Sequence, residues 1–125
     1  MQGITREWID KAEGDLITAQ READANPPNF DATAFHAQQC AEKYLKACLI
    51  EASIGFPKVH DLAVILNLVL QIEPSWAQLR DELDALTSLG IEVRYPGTLA
   101  DREDAEQALH TARTVRKLVR ESLSA

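Results

Sequence analysis

Apolar residues recur at three- and four-residue steps through most of this chain, and no stretch alternates with period two for long enough to make a strand. That spacing confines the fold to helices packed on helices. The breakers are few and regularly placed: Asn26-Pro27-Pro28-Asn29, Gly55-Phe56-Pro57, Pro74, and the interval from Gly90 to Gly97. They divide the chain into five helical segments.

The first segment spans about Thr5 to Ala25, with Trp8, Ala12, Leu16, Ala19 and Ala23 as its apolar stripe. The second spans about Phe30 to Ser53 and can be capped by Asn29 or Asp31. Its arc of Ala34, Ala37, Ala41, Leu45, Cys48, Leu49 and Ala52 is rich in small side chains, so another helix can approach closely. The third runs from Asp61 to Ile72. The fourth runs from Ser75 to Leu89, with Gly90 expected as its C-terminal stop. The fifth runs from Leu99 to Leu123, with acidic residues early and Arg116, Lys117 and Arg120 late, as the helix dipole favours. The expectation is an all-α, antiparallel up-and-down bundle of about five helices, forming one domain over residues 1–125.

Composition narrows the function classes. A formal charge of −7 argues against a general grip on nucleic acid but leaves room for a local site holding a nucleotide or an RNA end. The longest apolar run, Leu62 to Leu70, contains Asn67 and is too short to span a bilayer. The opening MQGITREWIDK has no apolar run after a basic start, so the expected location is the cytoplasm, with no membrane partner. Cys40 and Cys48 lie on one segment, about 12 Å apart along its axis, and are expected as buried reduced thiols. His36 and Cys40 have a spacing a metal could use, but two ligands are too few, and no metal or cofactor is expected.

Several polar residues fall where apolar ones would serve the bundle. Gln38 lies about 40° from Ala34 on the helical wheel, inside the apolar arc. Glu42 and Lys46 continue along the adjoining edge, and Asp15 sits in the arc of the first segment. A buried charge needs a partner, so these residues form either an internal network that sets helix register or a polar pocket between the first two helices. His60-Asp61 reads first as a helix start, with catalysis as the lesser option. Arg113, Arg116, Lys117 and Arg120 read as a solvated basic face or a phosphate-contacting stripe. No Gly-rich phosphate loop, metalloprotease pair or nucleophile elbow is present.

In EVRYPG, residues 92–97, Arg94 offers a planar donor fork suited to phosphate or carboxylate, and Tyr95 a stacking face. Pro96 biases Tyr95 toward extended backbone, and Gly97 frees the chain to enter the last helix. The same parts suit a nucleotide site, or a staple in which Arg94 pairs with Asp15 or Glu42.

Trp8-Ile9-Asp10-Lys11-Ala12 with Asp15-Leu16, FHAQQCAEKYLKACL from Phe35 to Leu49, VHDL from Val59, RYPG from Arg94 and DAEQALHTARTV from Asp104 together resemble the HEPN family. The resemblance covers nearly the whole chain. It implies a helical bundle that dimerises through helix faces, often paired with a separate minimal nucleotidyltransferase, in some cases as toxin and antitoxin. Some branches of the family are ribonucleases that use an Arg followed four to six residues later by a His. Here the positions after Arg94 are Leu99, Ala100 and Asp101, and the nearest approach elsewhere, Arg102 with His110, spreads its groups about 12 Å along one helix. The expectation is therefore a binding module without catalytic residues, holding a nucleotide through Arg94, Tyr95, Asp15, Gln38, Glu42 and Lys46. A metal-independent ribonuclease with a displaced motif and a purely structural dimer are the alternatives.

Overall fold

In the computed structural model, residues 1–124 are described. Five α-helices and one short 3-10 helix make up the fold: α1 Gly3–Asp24, α2 Phe30–Glu51, α3 Leu62–Val69, the 3-10 helix Pro74–Leu79, α4 Arg80–Glu92 and α5 Arg102–Leu123. There is no strand among the described residues, and none of their helices is long and apolar enough to cross a membrane.

Helix directions follow from long-range hydrogen bonds. The backbone N–H of Gln2, before α1, donates to Glu51 at the end of α2, and Thr33 Oγ1 donates to the Ala19 carbonyl, so α1 and α2 are antiparallel. The backbone N–H of Ala100 donates to Asp31 at 2.7 Å, which sets the start of α5 beside the start of α2. Arg113 meets Gln20 and Arg116 meets Glu13, so α5 runs antiparallel to α1. α2 is the central element, in contact with α1, α3, α4 and α5.

Its composition explains that position. Ala34, Ala37, Ala41 and Ala47 are fully buried, and their small side chains let neighbouring helices approach on several sides, while Tyr44, Leu45 and Leu49 fill the space between. Truncating a core leucine such as Leu45 to alanine costs about 2–5 kcal/mol in a site of this kind. Cys40 and Cys48 are buried free thiols within the same core.

Three local expectations need correction. In α1 the fully buried line runs through Thr5, Ile9, Ala12 and Ala19, whereas Trp8, Leu16 and Ala23 lie at its edge. Trp8 is too bulky for the seam and instead meets the Phe56 ring edge-on, 6.2 Å between centroids. α4 continues through Gly90 to Glu92, so Gly90 is no helix stop. A Cβ there would lie 3.0 Å from both Cβ and Cγ of Gln38, so the glycine permits close approach of α4 to α2. Finally, α5 begins at Arg102, three residues after Leu99, because Asp101 and Asp104 form a reciprocal capping box. At α2 it is Asn29 that caps, by accepting from the Ala32 N–H, and Asp31 serves Ala100 instead.

Candidate functional site

The polar residues singled out in the sequence separate into two clusters along the outer side of α2. Gln38, Glu42 and Lys46 belong to the first. It lies between α2 and the loop leading into α3 and is an internal hydrogen-bond network, the first of the two readings offered by the sequence, rather than a pocket between the first two helices. Glu42 is 4% exposed, and its carboxylate accepts from Lys46 Nζ at 2.9 Å, His60 Nδ1 at 2.9 Å and Gln38 Nε2 at 3.2 Å. Lys46 also donates to the Val59 carbonyl at 3.1 Å and lies over the Phe56 ring. Gln38 donates to the His60 carbonyl at 3.0 Å and accepts from Gln39. The buried pair thus meets the requirement that a desolvated charge be matched and fully hydrogen-bonded. Gln38 and Lys46 are occupied as clasps on the loop. His60 is the open member, with its side chain 64% exposed.

Asp15 belongs to the second cluster, on the α1–α2 seam, where it accepts from Lys43 Nζ at 2.6 Å and pairs with His36 Nδ1 at 2.9 Å. His36 packs edge-on against Phe35, and the guanidinium of Arg94 lies 4.8 Å from the centre of the Phe35 ring. Arg94 makes no ion pair among the described residues: its two proposed staple partners, Asp15 and Glu42, are already matched to other cations. A guanidinium stacked on an aromatic face keeps its N–H edge for an anion.

Beyond Glu92 the chain unwinds through two tightened turns, with the Arg94 N–H on the Ile91 carbonyl and the Tyr95 N–H on the Glu92 carbonyl. Tyr95 is 63% exposed, so it does not serve as a staple packed over the bundle. Gly97 has φ 104°, a conformation that disfavours any other residue. It does not lead directly into α5, since residues 98–100 and the Asp101 cap intervene.

Phe35 and Glu42, which support Arg94 and His60, are seven positions apart on α2. That places them about 20° apart around the helix and about 10 Å apart along it. One face of α2 therefore carries a free guanidinium and an exposed imidazole in succession. His60 and Phe35 lie outside the expected site because their roles depend on contacts across 18 residues and 59 residues of sequence; the signals for His60 are the VHDL stretch and its place at a helix start, which reads first as structural.

The basic residues of α5 are mostly engaged. Arg116 and Tyr44 both donate to Glu13, Arg120 lies 3.8 Å from the same carboxylate, and Arg113 donates to Gln20. Burial would raise the Glu13 carboxyl, but the hydrogen bonds from Arg116 and Tyr44 and the two nearby guanidinium charges hold it below the usual carboxylate range. Burial, then the Glu13 carboxylate, push the Tyr44 phenol up. This cluster ties α1, α2 and α5 together, which commits Arg116 and Arg120 to the fold. Arg102 lies over the Phe30 ring, 4.9 Å from its centre, remote from His110 on the same helix. His36 turns toward Asp15, away from Cys40, and no group of three or more His, Cys, Asp or Glu among the described residues is arranged to hold a metal.

Comparison with known proteins agrees with this architecture. The chain is 30% identical over 132 residues to the Putative toxin MJ1304 of Methanocaldococcus jannaschii, an alignment covering 93% of this chain and 86% of that protein. Its fold is similar to the crystal structure of TT1696 from Thermus thermophilus, with TM-score 0.84 and 22% identity over 96% of this chain and 98% of that one. It is also similar to ST0689, described as an archaeal HEPN homologue, with TM-score 0.70 and 24% identity over 94% and 96% of the two chains. The family model for the HEPN domain matches residues 5–122, and the chain belongs to the HEPN domain family.

Proposed function

We propose that this protein is the HEPN module of a toxin–antitoxin-like pair, acting with a minimal nucleotidyltransferase and holding the phosphate of a nucleotide or RNA end at Arg94. The observation that carries the reading is the guanidinium of Arg94, stacked on Phe35 and free of any carboxylate among the described residues. A cation committed to the fold would be paired, as Lys46 is; this one is supported from behind and open in front. Exposed Tyr95 beside it offers a stacking face. The toxin name of the Methanocaldococcus jannaschii relative supports the pairing.

Binding at Arg94 requires nothing of the positions that follow, where Leu99 is exposed, Ala100 is buried and Asp101 caps α5. Ile91 and Tyr95, next to Arg94 in sequence, are exposed, as is Leu99 beside the loop between α1 and α2, and such apolar surface suits a partner protein or a second copy in a homodimer. Gentle affinity capture from the native cytoplasm, followed by intact-mass analysis, tests the pairing. A small nucleotidyltransferase recovered with the bait, or a nucleotidyl mass increment on it, is the expected result. Recovery of the unmodified homodimer alone, under conditions that preserve weak complexes, would oppose it.

A further inference from the structure

We infer that His60 reads the sugar of the nucleotide held at Arg94, accepting a hydrogen bond from a ribose 2′-hydroxyl at Nε2 and so selecting RNA over DNA. The inference rests on the phosphate reading of Arg94 and adds the class of sugar to it.

A carboxylate only accepts hydrogen bonds, so the contact between Glu42 and His60 Nδ1 at 2.9 Å places the proton of the neutral ring on Nδ1. Nε2 then carries a lone pair, and it has no hydrogen-bond partner among the described residues. The ring is held by Glu42, and the backbone that carries it is pinned on both sides. Gln38 fixes the His60 carbonyl, Lys46 fixes the carbonyl of Val59, and Asp61 caps α3 immediately afterwards. Glu42 is itself buried and immobilised by its other two donors. A side chain 64% exposed yet anchored in this way is oriented for something outside the fold.

The chemistry of the two groups is complementary. Arg94 can only donate, which suits a phosphate. An imidazole lone pair repels phosphate oxygens and needs a donor, which a hydroxyl supplies. Their supports lie on one face of α2 about 10 Å apart along the axis, an interval that a bound nucleotide together with the long Arg94 side chain can bridge. The 2′-hydroxyl is the group by which a protein distinguishes RNA from DNA at a given position.

The test is fluorescence anisotropy with a 5′-phosphorylated tetraribonucleotide, the same RNA carrying a single 2′-deoxy residue at its 5′ end, and the all-DNA tetramer. Wild-type protein is expected to favour RNA over both others by about three- to tenfold, the worth of one net hydrogen bond. His60→Phe, checked for retained helicity, is expected to erase that preference while still binding all three. Equal binding of the three probes by wild-type protein, or a preference that survives in His60→Phe, would overturn the sugar reading and leave phosphate binding at Arg94 standing. Failure of wild-type protein to bind any of them would overturn both.

Discussion

At the scale of single residues, buried polar groups are either consumed by the fold or left open, and their partners distinguish the two. Glu13 is consumed: Tyr44, Arg116 and Arg120 converge on it from two other helices. Because its carboxyl is held below the ordinary range, the stability it contributes is fully present above the unfolded carboxylate pKa. That contribution is lost as pH falls through the lowered, folded value. Glu13→Gln should therefore lower stability by about 1 kcal/mol at neutral pH, a figure kept small by partial exposure and salt screening. The deficit should shrink in acid, and urea unfolding at pH 7 and pH 3 would show it. The two cysteines behave differently, since burial pushes both thiols up to about 12. Neither should react with a disulfide reagent at pH 8 in the native protein, and both should react once it is unfolded.

At the scale of elements, the helices are legible in the sequence because their periodicity is local, and the caps are legible where a side chain two or three residues away does the work, as at Asn29 and Asp61, whereas Asp101 reads as a first-turn residue and proves to be the cap. Gly90 misleads because a glycine near a helix end looks the same whether it terminates the helix or admits a neighbour; only the position of Gln38 distinguishes these. Gln38, Glu42 and Lys46 are recognisable as an inward polar set, but their true partner, the loop before α3, lies outside any helical wheel. Asp15 groups with them for want of any local sign that His36 and Lys43 claim it. The two glycines give a contrast that can be measured. Gly90→Ala should gain helix propensity yet lose about 1 kcal/mol net, because the pinned Gln38 cannot move aside. Gly97→Ala meets no atom within 4 Å, but at φ 104° should still lose about 1–2 kcal/mol. Thermal melts of both variants would check this, and a compensating repack that rescues Gly90→Ala should do nothing for Gly97→Ala.

At the scale of the whole molecule, an acidic chain with most of its α5 arginines tied to α1 is poorly equipped to track along nucleic acid. The proposed site is instead local, where the end of α4 and the loop before α3 both meet one face of α2. A grip on one phosphate predicts a shallow salt dependence for single-stranded RNA, with log K falling by roughly 0.7 per unit of log salt concentration. A track of several contacts would multiply that slope. The most direct measurement is the affinity of wild-type protein and Arg94→Ala for a 5′-phosphorylated oligoribonucleotide, each compared with the same oligonucleotide lacking the phosphate. Removing either the guanidinium or the phosphate should weaken binding about tenfold or more, and removing both should cost little beyond removing one. Equal affinities across all four combinations would contradict phosphate binding at Arg94, and would return that residue to the surface of the bundle as a charge without a ligand.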